Sequence, residues 1–172
     1  LPIVKHIPGH GRARVDSHTA LPVVDDDLPT LEATDFAPFR ALADAPWAMT
    51  AHVVFSAVDE RPATLSPVVI DRVISGAIGF GGVLVSDDIG MGALGGGFAD
   101  RAAAALAAGC DAVLHCSGRL DEMRAAAEGA APLTAKAAAR LARGETLRRA
   151  AAREFDRGTA ATRFAAIVGE LA

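Results

Sequence analysis

Three short stretches carry the side chains best suited to chemistry: "KH" at 5–6, "DSH" at 16–18 and "SDD" at 86–88. In "DSH" only Ser17 separates Asp16 from His18. On a locally extended segment, residues i and i+2 point the same way. A carboxylate so placed can bond one ring nitrogen, raise the basicity of the imidazole and leave the other nitrogen free for proton transfer. A solvated loop histidine beside a solvated aspartate has the same spelling. Asp87 follows the apolar run "VLV" and precedes "IGMGALGGG". A carboxylate at the end of a buried strand, followed by a glycine-rich loop, faces a ligand with little steric cover. Two adjacent aspartates on a strand point to opposite sides. One is therefore expected to face a site and the other to bond within its loop. The competing reading is that either residue only caps the next turn.

Two other chemistries compete for these residues. His6, His10, Asp16 and His18 are metal-ligand types, but H-x3-H-x5-D-x-H across a Gly/Pro loop is not a familiar ligand set. "GALGGG" suggests a phosphate cradle, yet it lacks the G-x-x-x-x-G-K-[ST] pattern and its lysine.

Something must position these groups, and the hydropathy pattern says what. Residues 1–4, 47–53, 81–88 and 111–116 read as strands. Helical spacing predicts helices over 28–43, with a kink or break at Pro38, and over 67–78, with Ser66 as cap and Gly79 as stop. Further helices are expected over 98–109, 119–129, 134–142, 145–156 and 160–170. Apolar strands alternating with helices argue for a parallel sheet covered by helices, either doubly wound or part of a (β/α)8 barrel. Four β/α units make half a barrel, because a whole one needs about 250 residues. The polar residues fall at the C-terminal ends of the strands: Lys5 and His6; Thr50 and His52; Ser86, Asp87 and Asp88; His115 and Ser117. In both architectures that edge binds ligands.

The 172 residues are 51% hydrophobic and 22% charged, a globular composition. Net charge is −4 without a basic block, which argues against a nucleic-acid partner. No apolar run approaches the roughly 18 residues of a membrane span. Cys110 and Cys116 flank one apolar segment and read as small buried hydrophobes, a usage that suits a reducing compartment. The chain opens at Leu1, inside a strand-like run and without Met, as a piece of something longer would.

Four blocks together carry a resemblance. "KHIPGHGRARVDSH", "MTAHVVFSAVDERPATLSP", "GFGGVLVSDDIGM" and "AGCDAVLHC" resemble, in order and spacing, the glycoside hydrolase family 3 β-N-acetylglucosaminidases of bacterial cell-wall recycling. The resemblance covers about residues 1–120. It implies a (β/α)8 barrel, of which residues 1–172 form one partial domain: strands 5 to 8 and the following helices, without the N-terminal half. It implies a cytoplasmic retaining enzyme that removes terminal β-linked GlcNAc from GlcNAc–1,6-anhydro-MurNAc muropeptides. By the same resemblance Asp87 is the nucleophile, His18 the acid/base and Asp16 the residue that orients it. Lys5 and His6 bind sugar hydroxyls, Met91 lines the pocket, and neither a metal nor an organic cofactor is needed. Most glycosidases use a second carboxylic acid where this pattern has a histidine.

Ile7 stands where the family usually has Phe, and "DDIGM" replaces the commoner "DDLSM". Neither change touches a nucleophilic or proton-transferring group. A half barrel also leaves two sheet edges unpaired, so the missing half is itself an expected partner and the fragment alone is expected to be inactive. Two alternatives remain open on this framework: a β-GlcNAc phosphorylase, and an inactive sugar-binding α/β module.

Overall fold

The computed structural model describes residues 1–169. Along the chain run β1 (Ile3–Ile7), β2 (Val23–Val24), α1 (Leu28–Ala33), α2 (Ala37–Arg40), β3 (Trp47–Thr50) and β4 (Val54–Phe55). A π-helix (Val69–Ala77) leads to β5 (Val83–Asp88), and α3 (Phe98–Ala108) to β6 (Ala112–Leu114). Three helices follow: α4 (Leu120–Gly129), α5 (Ala135–Ala150) and α6 (Arg157–Gly169).

β1, β3, β5 and β6 form one parallel sheet in that order. Parallel neighbours need a crossover, and the π-helix and α3 supply two of them. Because all four strands run the same way, their C-terminal ends share one edge. "VLV" of β5 is buried as a central parallel strand should be. Ile7, Leu31, Ile74 and Leu84 fill the core, where Phe36 meets Phe55 edge to face at 5.9 Å.

Local chemistry explains most boundaries. The Asp27 carboxylate accepts the Thr30 N–H at 2.9 Å and caps α1. The Ser66 hydroxyl accepts the Val69 N–H at 3.0 Å, at the helix start expected for it. Thr134 caps α5 by accepting from Ala137, and Arg148 and Arg149 close its last turn.

Several elements differ from the sequence expectation. The helix over 28–43 breaks into α1 and α2 between Ala33 and Ala37, and Pro38 sits in the first turn of α2, where its missing N–H is harmless. The strand over 47–53 ends at Thr50. Val54–Phe55 instead pairs with Val23–Val24 in a small second sheet that periodicity did not reveal. The helices expected over 134–142 and 145–156 are one continuous helix, α5, which ends at Ala150, so residues 151–156 are not helical. Gly144 does not break it, because a Cβ there would lie 3.3 Å from the Trp47 indole nitrogen, so the glycine permits close packing. The last helix runs over Arg157–Gly169; its expected end at Glu170 lies outside the described residues. Cys110 is buried, but Cys116 is exposed, since β6 stops at Leu114.

The sheet margins are thinly covered. All three residues of β6 are only half-buried, and Leu1 and Ile3 are exposed beside β1. An apolar cleft of about 510 Å³ runs along β6 toward the turn between α4 and α5, lined by Leu106, Cys110, Val113 and Leu133 among others. It gathers no cluster of reactive groups.

Candidate active site

A second cleft of about 510 Å³ opens at the C-terminal edge of the sheet. Lys5, His6, His10, Gly11, Asp16, Ser17, His18, Asp87 and Met91 line it. All six residues singled out from the sequence (Lys5, His6, Asp16, His18, Asp87 and Met91) are thus brought together, from β1, the loop after it, β5 and the loop after that.

Asp87 ends the buried run of β5 and keeps only 8% of its surface exposed. Its Oδ1 accepts the Asp88 N–H at 2.9 Å, and its Oδ2 lies 3.6 Å from His6 Nε2. Asp88 has the other role expected of the pair. Its Oδ1 accepts from the Gly90 N–H at 2.8 Å and from the Cys116 N–H at 3.2 Å, which ties the loop after β5 to the end of β6. Burial lowers the His6 pKa, and the nearby Asp87 charge opposes this in part. His6 therefore faces Asp87 as a mainly neutral ring near pH 7.

The Asp16–His18 pair sits on the loop between β1 and β2. One carboxylate oxygen, Asp16 Oδ1, accepts both the His18 backbone N–H at 2.9 Å and, at 2.7 Å, a bond from the ring Nδ1. These bonds lower the Asp16 pKa and raise that of His18. The Asp87 and Asp88 charges add to the rise. With Nδ1 engaged and the His18 side chain 74% exposed, Nε2 is the free nitrogen.

Residues that sequence reasoning passed over hold this loop in place. Arg12 donates from Nε to Asp35 at 2.7 Å, and from its two Nη atoms to Asp26 at 2.8 Å and Thr34 at 3.1 Å. Ser17 is buried, and its hydroxyl meets His10 Nε2 at 3.1 Å. His10, weighed in the sequence only as a metal-ligand type, thereby braces the loop; its ring centroid is 5.6 Å from that of His6. The loop docks on the segment after β5: Gly92 N–H donates to the His18 carbonyl at 3.0 Å and Ala93 N–H to the Ser17 carbonyl at 3.2 Å. A Cβ on Gly92 would lie 2.8 Å from the His18 carbonyl oxygen. The glycine run "GMGALGGG" was the available signal, but spacing alone cannot say which glycine meets another loop. Arg101 donates to the Ile89, Met91 and Gly96 carbonyls and shapes the same segment from below.

Thr50, His52 and His115, expected at the rim, are not cleft residues. Thr50 and His52 are wholly buried beneath Asp87, and the His115 side chain is almost covered, with Nε2 bonded to Glu122 and Ser117. The rival metal reading has no geometric support, since among the described residues no group of three or more His, Cys, Asp or Glu side chains is arranged to hold a metal ion. No described helix is long and apolar enough to cross a membrane.

Residues 1–143 match the glycosyl hydrolase family 3 N-terminal domain. The chain belongs to this family. Among its family 3 relatives is a β-hexosaminidase of Chromobacterium violaceum, 49% identical over 117 residues, which are 66% of this chain and 33% of that protein. A β-hexosaminidase of Tolumonas auensis is 43% identical over 120 residues, 67% of this chain and 36% of its own. The chain spans about a third of the length of these curated relatives. Among solved structures it is similar to NagZ from Neisseria gonorrhoeae in complex with N-trifluoroacetyl-D-glucosamine. That match has a TM-score of 0.71 and 39% identity, and covers 83% of this chain and 41% of the other. A family 3 β-N-acetylglucosaminidase from a Paenibacillus species superposes with a TM-score of 0.72 at 34% identity, covering 91% and 33%. The family 3 chain is thus an α/β fold of the TIM-barrel type, present as four parallel strands with their helices.

Proposed function

We propose that this chain supplies the catalytic side of a retaining exo-β-N-acetylglucosaminidase, contributing barrel strands 5 to 8 to a protein whose other half completes the sugar pocket. One observation carries the reading: a buried carboxylate, an Asp–His pair with a free Nε2, and the Lys5–His6 pair line a single cleft. The names of the relatives point to the same substrate class.

In the first step Asp87 Oδ2 attacks the anomeric carbon of a terminal β-GlcNAc unit. The glycosidic C–O bond breaks, and His18 Nε2 gives its proton to the leaving oxygen. In the second step His18 takes a proton from water. The water oxygen attacks the same carbon and Asp87 departs, so GlcNAc leaves with its configuration retained. Asp16 holds Nδ1 and stabilises the imidazolium. Lys5 and His6 hydrogen-bond the sugar hydroxyls, Met91 packs against the ring, and no step uses a metal or organic cofactor. The natural substrate in this reading is a cytoplasmic GlcNAc–1,6-anhydro-MurNAc muropeptide of peptidoglycan recycling.

In the full-length protein Asp87→Ala is expected to abolish turnover of an aryl β-GlcNAc; wild-type rates in that variant would refute the assignment. His18→Ala is expected to cut kcat/KM far more for a disaccharide than for an aryl glycoside, and equal losses would argue against the acid/base role. A histidine in the acid/base position favours one second reading, a phosphorylase, because imidazole repels phosphate less than carboxylate does. GlcNAc-1-phosphate appearing when phosphate is added would decide for it.

A further inference from the structure

The buried polar residues beneath Asp87 form a ring that the two-step chemistry does not use. Regular pairing between β3 and β5 ends at Met49↔Val85. On the other side the β5–β6 register shifts between Val85 and Asp88, with the Ser86 hydroxyl accepting the Leu114 N–H at 3.0 Å. The segment that carries Asp87 therefore lies beyond the ladder on one side and in an irregular ladder on the other. Side chains take over there. Thr50 Oγ1 accepts the Asp87 N–H at 3.2 Å and lies 2.8 Å from Thr64 Oγ1. Thr64 Oγ1 lies 2.7 Å from His52 Nδ1, and His52 Nε2 lies 3.0 Å from the Asp88 carbonyl. All three side chains are fully buried.

Donors and acceptors give this ring a direction. The Asp88 carbonyl only accepts, so His52 Nε2 carries a proton and donates it. In the neutral ring Nδ1 is then an acceptor; the single Thr64 hydroxyl proton has two acceptors in reach, the Ala51 carbonyl at 3.1 Å and His52 Nδ1 at 2.7 Å, and it goes to the nearer Nδ1. Thr50 in turn donates to Thr64 and is left to accept the Asp87 N–H. Burial favours the neutral imidazole by lowering the His52 pKa, outweighing the Asp87 and Asp88 charges that oppose it. We propose that His52 is a positioning residue that, through Thr64 and Thr50, clasps the two-residue segment Asp87–Asp88 at both ends, from the Asp87 N–H to the Asp88 carbonyl. The N–H enclosed by the clasp, that of Asp88, holds Asp87 Oδ1, which leaves Oδ2 to the cleft. Fully satisfied buried networks of this kind hold one geometry rigidly.

The catalytic part of this inference rests on Asp87 being the nucleophile, and the test separates the two. In the full-length protein, nitrogen-15 NMR of the imidazoles is expected to show His52 with a proton on Nε2 and none on Nδ1 at about pH 7 to 8. A doubly protonated His52 or the opposite tautomer in that range would overturn the clasp, whatever the enzyme's activity. Thr50→Val keeps the shape and removes the hydroxyl; it is expected to lower kcat on an aryl β-GlcNAc by ~10-fold or more, with KM unchanged. Thr50→Ser restores the hydroxyl and is expected to regain most of that rate. Equal losses in both variants would overturn the positioning role. A wild-type protein without turnover would fail the nucleophile reading, while the tautomer would still decide the clasp.

Discussion

Replacing Gly92 with alanine tests how the loop that carries Asp16 and His18 is held. Gly92 has no left-handed backbone, so alanine itself costs nothing there and the whole effect is steric. Its Cβ would lie 2.8 Å from the His18 carbonyl oxygen and 3.0 Å from that of Thr19. Both belong to backbone, which cannot swing aside as a side chain can. To reach ordinary contact, which begins at 3.4 Å, the His18 carbonyl must retreat by about 0.6 Å. The Gly92–His18 and Ala93–Ser17 hydrogen bonds, at 3.0 and 3.2 Å, would then pass beyond useful length. At about 0.5–1.5 kcal/mol each, their loss weakens docking by about 1–3 kcal/mol. That corresponds to roughly 5–150-fold in the ratio of docked to undocked loop. The assay compares kcat/KM on a GlcNAc disaccharide, whose alkoxide must be protonated as it leaves, with kcat/KM on a 4-nitrophenyl glycoside, whose phenolate need not be. The disaccharide value is expected to fall by up to a factor in that range and the aryl value to hold. Gly95→Ala, whose Cβ meets open space, serves as the control. An unchanged disaccharide value in Gly92→Ala would refute the docking argument.

Three other outcomes follow from the geometry. The raised His18 pKa means that its pairing stabilises the loop fully below the imidazole's unfolded pKa and is lost as pH rises through the folded value. The lowered Asp16 pKa means the reverse for the carboxylate, so the pair is at full strength between roughly pH 4 and 6.5. Asp16→Asn removes the charge that raises His18, and the alkaline limb of the kcat/KM profile should move to lower pH; a stationary limb would count against the pairing. Asp111 accepts from Arg140 at 2.7 Å and from the Leu84 N–H at 2.9 Å in a largely buried pair. Asp111→Ala should therefore cost about 3–5 kcal/mol in urea unfolding, with much of it recovered when Arg140 is also made apolar. Burial pushes the Cys110 thiol up to about 12, whereas Cys116 is exposed; the folded chain should give one thiol per molecule to Ellman's reagent and a second only on unfolding.

The sheet was legible because buried parallel strands are continuous apolar runs, as "VLV" shows, and the site edge was legible because polar residues follow each run. Asp87 and Asp88 could be assigned different roles from strand alternation alone. What could not be read were contacts between segments far apart in sequence. Arg12 finds Asp26 and Asp35 only after the loop folds over α1. The gap left between residues 142 and 145 closes into one helix with Gly144 against Trp47, a contact that nothing in its neighbourhood announces. Thr50 and His52 looked like rim residues because a period of two cannot distinguish a side chain in a cleft from one beneath it. The β2–β4 pair is two residues on each side, too short for any periodicity to register.

The docking of the dyad loop on the Gly92–Ala93 segment has a practical consequence. Those two amides bond directly to the loop that carries His18, and they lie within a few residues of Asp87. Their exchange with heavy water is blocked while the carbonyls of Ser17 and His18 occupy them, and it opens when the loop lifts. The loop of His18 thus carries its own clock. Two backbone hydrogens record the fraction of time it spends away from the site, in a resting molecule, with no sugar present and no turnover to measure.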